Sequence, residues 1–266
     1  MSSVLTVLVV VVLALPVFIY LMQDRLLFHP QPLSAAQRTA IKQLFQPVEE
    51  IVLQDADAKL QAWYVKGASG SPLVLYFGGN AEEVSWMIEN AHTRVRGLGW
   101  LLVSYRGYGG SEGSPSEATI TADALRWYDY AVKELGATQV IAFGRSLGSG
   151  AAVFLASQRP VRAVVLVTPY DSLVQVAKHH YPFLPVQLLL RHRFESVERA
   201  PALRMPLLCI AAGRDQVIPP ERARRLFDAW GGPKQWLELE EAGHNTTDDQ
   251  PLFWQNVTGF LVKMKS

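Results

Sequence analysis

Residues 140–154, VIAFGRSLGSGAAVF, set Ser146 between Gly144 and Gly148, directly after an apolar run and before a stretch rich in small residues. Val140 to Phe143 is short, branched and aromatic, which predicts a buried strand, and residues 147–158 predict a helix. Ser146 then falls on the turn between them. A serine hydroxyl is a poor nucleophile until a base takes its proton, and it must project from the backbone toward a substrate. A sharp strand-to-helix elbow projects it. The same elbow crowds its neighbours, so Gly144 and Gly148 stand where side chains would collide. The stretch satisfies G-x-S-x-G in the setting that gives the motif meaning.

Outward from this elbow the chain alternates in the manner of a sheet with covering helices. Val48 to Leu53 and Leu60 to Lys66 predict a hairpin joined through QDADA. Pro72 to Phe77, Gly99 to Tyr105, Gln139 to Phe143, Val161 to Val167, Pro206 to Ala211 and Gln235 to Leu239 predict six further strands. Helical patterns occupy residues 82–95, 117–135, 147–158, 220–230 and 251–263. Such alternation gives an α/β fold, a mostly parallel eight-stranded sheet with helices on both faces. The interval 171–203 differs. It carries HHYPFLPVQLLLRHRF between two strands, which predicts a small helical cap over the sheet edge.

At 266 residues, 49% hydrophobic and 18% charged, the chain can bury one substantial core. A net charge of +1, with no basic run or interleaved basic and aromatic patch, argues against a nucleic-acid partner. The single cysteine, Cys209, lies in the apolar run PLLCIAAG and predicts a buried strand thiol. No H-x-x-x-H or C-x-x-C spacing suggests a metal.

Val4 to Met22 is almost uninterrupted in apolar character, broken by Thr6 and Pro16, and is about long enough to cross a bilayer as a helix. It is read as an uncleaved anchor, because neither a basic amino-terminal region nor an A-x-A site accompanies it. The expected division is an anchor at 1–24 and a single domain at 25–266. Arg25, Arg38 and Lys42 all follow the segment, which favours a cytoplasmic face for that domain.

Partners for Ser146 are sought where open α/β sheets place their sites, at the carboxyl ends of strands. LLCIAAGRDQVIPP puts Asp215 just past one predicted strand, and LELEEAGHNTTDD puts His244 in a loop past the last. The order Ser146, Asp215, His244 is nucleophile, acid, base, each after its own strand. Asp171, in TPYDSL, is the rival acid and equally suits a helix cap. His29, His92, His179, His180 and His192 fall in the approach segment, in helices or in the cap. Donors for an oxyanion are expected from the backbone amides of Leu147, which follows the nucleophile, and of Asn80, in YFGGNAEEV at a helix start.

The motifs YFGGNAEE, SYRGYGGSEGSPSE, GRSLGSG, TPYDSL, GRDQVIP and GHNT, in this order, resemble the membrane-anchored α/β-hydrolase-domain serine hydrolases. That group includes protein depalmitoylases and the Bem-type proteins. The resemblance covers residues 20–264. It implies the α/β-hydrolase fold, Ser146 as nucleophile, Asp215 as acid, His244 as base and a retained anchor. Two positions depart from the family pattern. Its usual H-G-N-A is here Gly78-Gly79-Asn80-Ala81, and the aspartate before Y-R-G-Y-G is Ser104.

The expected activity is cleavage of carboxylic ester or thioester bonds through an acyl-enzyme, without a cofactor, on acyl or lipid-like substrates near the membrane. A peptidase of the same fold is the alternative within enzymes. A silent hydrolase fold serving as a membrane binding module is the alternative outside them. Phe183, Leu184, Val186, Leu188, Leu189 and Leu190 in the cap either complete the core or line an acyl channel beside Ser146.

Overall fold

A computed structural model describes residues 2–54 and 57–265, with the side chains of residues 2, 4 and 6–13 outside that description. In chain order the elements are α1 (Ser2–Leu27), α2 (Ala35–Leu44), β1 (Glu49–Gln54), β2 (Lys59–Val65), β3 (Leu73–Phe77), α3 (Trp86–Thr93), β4 (Gly99–Val103) and α4 (Glu117–Lys133). There follow β5 (Val140–Arg145), α5 (Leu147–Gln158), β6 (Ala163–Val167), α6 (Leu173–His180), α7 (Val186–Leu189) and α8 (Ser196–Arg199). The chain ends with β7 (Leu207–Ala212), α9 (Pro220–Ala229), β8 (Lys234–Leu239) and α10 (Pro251–Lys263).

The strands form one eight-stranded sheet in the order β1-β2-β4-β3-β5-β6-β7-β8. β2 runs antiparallel to both neighbours, β1 and β4, and every pairing from β4 to β8 is parallel. β3, β4, β6 and β7 are buried at every position, because helices cover both faces of a parallel sheet. Successive side chains alternate between two cores. Leu75, Phe77 and Ala142 join Trp127, Val153 and Leu226 beneath α4, α5 and α9. Val74, Tyr76, Ile141 and Phe143 join Met87, Val257 and Leu261 beneath α3 and α10. Cys209 lies in the first core, where burial pushes its thiol well above the ordinary range.

Differences from the sequence reading have local causes. The expected helix at 82–95 begins at Trp86, since Glu82 spends its carboxylate on a turn described below. Helix α2 is additional, closed by a capping box between Ser34 and Gln37. The turn of the first hairpin, at residues 55–56, lies outside the described residues.

The backbone of α1 is helical across the segment read as an anchor, although many of the side chains in that reading lie outside the described residues. Among the described residues no helix is long and apolar enough to cross a membrane. The carboxyl end of α1 is fastened to the end of α7 and the segment that follows it. Gln23, 4% exposed, donates through Nε2 to the Leu189 carbonyl at 3.1 Å and accepts the Arg191 amide through Oε1 at 2.7 Å. Asp24 meets the Arg191 guanidinium at 2.8 Å and His192 Nε2 at 2.6 Å.

Candidate active site

Ser146 occupies the step between β5 and α5 with φ +49° and ψ −115°, a conformation L-residues rarely adopt. Its amide donates to the Val167 carbonyl at 2.9 Å, and its carbonyl accepts the Ser149 hydroxyl at 2.7 Å, so bonds on both sides hold the strained residue. The flanking glycines are required by contact. A Cβ on Gly148 would stand 2.1 Å from the Phe77 carbonyl oxygen, and one on Gly144 would stand 2.3 Å from that of Gly148.

Asp215, after β7, and His244, after β8, converge on this serine. His244 Nε2 lies 2.8 Å from Ser146 Oγ, and His244 Nδ1 lies 2.7 Å from Asp215 Oδ2. The other oxygen of Asp215 accepts the amides of Val217 and Ile218, both at 2.8 Å. Its orientation is therefore fixed independently of the imidazole. Asp171, the rival acid, goes elsewhere. Its carboxylate accepts the Ser172 amide at 2.9 Å and pairs with Arg222 at 3.1 Å, and burial raises its pKa against those contacts. His180 reaches the Val217 carbonyl, and His192 reaches Asp24.

The loop after β3 comes against the elbow. A Cβ on Gly79 would meet the Cβ of Ser146 at 3.6 Å. Among the described residues neither the Asn80 amide nor the Leu147 amide has a hydrogen-bond acceptor, so both are free to donate to a ligand. The Asn80 side chain is committed to the protein. Its Nδ2 donates to the Leu27 carbonyl at 2.5 Å, while its Oδ1 accepts the His29 amide at 3.0 Å and the Tyr108 hydroxyl at 2.8 Å.

The loop is braced without the family's histidine. Glu82 accepts the Gly79 amide on one oxygen at 2.6 Å, and on the other the Tyr76 hydroxyl at 2.6 Å and Trp86 Nε1 at 2.8 Å. Tyr105, from Y-R-G-Y-G, donates its hydroxyl to the Gly78 carbonyl at 2.7 Å. Burial, followed by the nearby Glu82 carboxylate, holds the Tyr76 and Tyr105 phenols well above their ordinary range, and burial pushes Tyr108 up to about 12. All three remain donors. Arg145 stands beside this group, paired with Asp248 at 3.1 Å and stacked 5.6 Å from the Trp86 ring. Ser104, at the departed aspartate position, donates to Gln61 at 2.7 Å and serves packing.

Ser146, His244, Gly79, Asn80 and Val217 line a pocket of about 450 Å³, together with His29 and Glu82. Neither of these last two emerged from the motif order. The signal for Glu82 lay inside YFGGNAEE, while His29 arrives from the end of α1 and leaves no local mark. Among the described residues no group of three or more His, Cys, Asp or Glu side chains could hold a metal.

The family model described as alpha/beta hydrolase fold matches residues 72–194. An uncharacterised protein of Mycobacterium tuberculosis is 37% identical over 235 residues, covering 86% of this chain and 82% of that protein. A protein of Saccharomyces cerevisiae named as an uncharacterised membrane protein is 29% identical, covering 82% of this chain and 80% of its own. The lysophosphatidylserine lipase ABHD12 of Danio rerio is 32% identical over 202 residues, 66% of this chain and 52% of that protein. Among solved structures, an esterase of Pyrococcus furiosus superposes with a TM-score of 0.67 at 15% identity, covering 89% of this chain and 98% of that one. Profile, sequence and backbone trace agree, and the chain belongs to the α/β-hydrolase fold family.

Proposed function

We propose that the chain is a serine hydrolase of carboxylic esters or thioesters, with Ser146 as nucleophile, His244 as base and Asp215 as the acid that orients it. One observation carries the reading: a continuous line runs from Ser146 Oγ through both nitrogens of His244 to Asp215, starting at a strained elbow. The Ser146 hydroxyl donates to Nε2, and Nδ1–H donates to Asp215. As Oγ bonds the acyl carbon, Nε2 takes its proton and the carbonyl electron pair moves onto oxygen. The Asn80 and Leu147 amides meet the resulting oxyanion. When the carbonyl re-forms, His244 gives the proton to the departing alkoxide or thiolate, leaving acyl-serine. Water then adds to the acyl carbon as Nε2 accepts its proton. That proton returns to Oγ as the carboxylic acid leaves.

The name of the zebrafish lipase favours ester chemistry over peptide chemistry. Intact partners at every position favour an enzyme over a silent binding module. A fluorophosphonate probe is expected to label the full chain stoichiometrically, with the adduct on the peptide containing Ser146 by mass spectrometry. An adduct elsewhere, or none, overturns the assignment.

Residues 1–24 serve as a single-pass anchor in this reading, with a hydrolase domain at 25–266 and its cap at 171–203. The helical backbone of α1 and the membrane protein named in yeast support it, and the basic residues after the segment favour a cytoplasmic domain. The full chain is expected to stay in the membrane pellet through alkaline carbonate extraction. Release into the supernatant would count against the anchor.

A further inference from the structure

A second pocket, distinct from the one at Ser146, lies between α1 and the segment linking β6 to β7. Ile19, Leu26 and Leu27 form one wall, and Leu184, Leu189 and Leu190 form the other, of a half-open pocket of about 290 Å³. The leucine-rich run of the insertion therefore divides. Leu184, Leu189 and Leu190 face this pocket, whereas Phe183 and Leu188 are 95% and 85% exposed.

Polar contacts hold the pocket's two walls in a fixed relation. Gln23 sits at its edge with both ends of its amide engaged, by the Tyr20 and Leu189 carbonyls and the Arg191 amide. Its polarity is thereby spent within the protein. No charged side chain lines the pocket among the described residues, and the remaining walls are hydrocarbon apart from the Tyr181 hydroxyl. Such a lining rejects an ionic or strongly hydrated ligand and accepts an alkyl chain.

The two pockets have no lining residue in common, and hydrogen bonds link their linings on two sides. On the first, Leu27 lines the apolar pocket while its carbonyl accepts Asn80 Nδ2; Asn80 and His29 line the pocket at Ser146. On the second, Ala177 and Tyr181 line the apolar pocket, while His180 between them bonds the carbonyl of Val217, which lines the other. On the first side the contact of Leu27 with Asn80 is all that stands between the two linings, which brings the apolar pocket within reach of a chain attached to a carbonyl at Ser146.

We infer that the pocket between α1 and the insertion receives the acyl chain of the substrate, with the last turns of the N-terminal helix forming part of the substrate site. The inference rests on the serine-hydrolase reading and specifies its substrate as an ester or thioester of one medium-to-long unbranched acyl chain. Helix α1 then has a binding role separate from anchoring.

The test uses the full chain in detergent with p-nitrophenyl esters from acetyl to dodecanoyl. In the unaltered protein kcat/KM is expected to rise by up to about fourfold per methylene until the pocket fills. Ile19→Trp and Ala177→Trp fill the pocket from opposite walls, and each is expected to lower the octanoyl-to-acetyl ratio at least tenfold. Fluorophosphonate labelling of Ser146 in each variant reports that the reacting site is folded. A second readout needs no turnover. Dansyl-undecanoic acid bound to a Ser146→Ala protein is expected to bind at least tenfold more weakly when Ala177→Trp is added. An unaltered ratio in both tryptophan variants, together with unaltered dansyl-undecanoic acid affinity, overturns the acyl site and leaves the hydrolase reading standing. Absence of ester turnover and labelling in the unaltered protein overturns the hydrolase reading instead. In that case the dansyl-undecanoic acid arm alone decides the pocket.

Discussion

Ser146→Ala is expected to reduce kcat for a soluble ester by about 10⁶-fold and to abolish fluorophosphonate labelling. The substitution deletes one oxygen and retains a Cβ, so the elbow keeps its bonds to Val167 and Ser149. Thermal denaturation should accordingly stay close to that of the unaltered protein. The braced loop and its amides remain, and a residual rate of about 10³–10⁴ over water is expected from them and from binding. Turnover within tenfold of the unaltered protein would show that Ser146 carries no covalent step.

Asp215→Asn is expected to cost about 10⁴-fold in kcat, and the surroundings of this carboxylate say why. One oxygen already accepts two amides, from Val217 and Ile218. An asparagine must keep its oxygen toward those donors, which turns its NH₂ toward His244 Nδ1. Nδ1 then has to accept, so the imidazole carries its proton on Nε2 and cannot take the one on Ser146. Because the defect lies in the tautomer, labelling by the probe should slow in parallel with turnover while substrate KM changes little. The same change at Asp171 gives a comparison. That carboxylate holds Arg222 and the Ser172 amide, so Asp171→Asn should act on stability and spare the rate. A larger kinetic loss at Asp171 than at Asp215 would exchange their roles.

The features legible in the sequence were those with a local cause. Val140 to Phe143 reads as apolar throughout because helices cover both sheet faces, and Gly144 and Gly148 mark an approach too close for a Cβ. Asp215 and His244 could be singled out because each follows its own strand at the carboxyl edge of the parallel sheet, although β6 stands between β5 and the two strands that carry them. Helix α2 was not legible: its ten residues carry only Ile41 and Leu44 as large apolar side chains and bury none of them, so the Ser34 and Gln37 cap is its main mark. The split within the leucine-rich insertion was hidden for a different reason. Which leucines turn inward depends on Gln23 meeting Leu189 and Arg191, contacts that span more than 160 positions. No periodicity within a window of ordinary length records such a meeting.

The fastening of α1 bears on how an enzyme of this kind would meet its substrate. With residues 4–22 in a bilayer, as proposed, Leu27 stands about 7.5 Å farther along the helix than Met22, at a rise of about 1.5 Å per residue. Gln23 and Asp24, tied to Arg191 and His192, leave the domain little freedom to swivel on its stalk. A lipid moving laterally would then encounter the opening at one height and in one orientation, without first dissolving in water. Encounter becomes two-dimensional. The rate would follow the mole fraction of substrate in the surrounding lipid, and inert lipid would slow it by surface dilution even at constant total substrate.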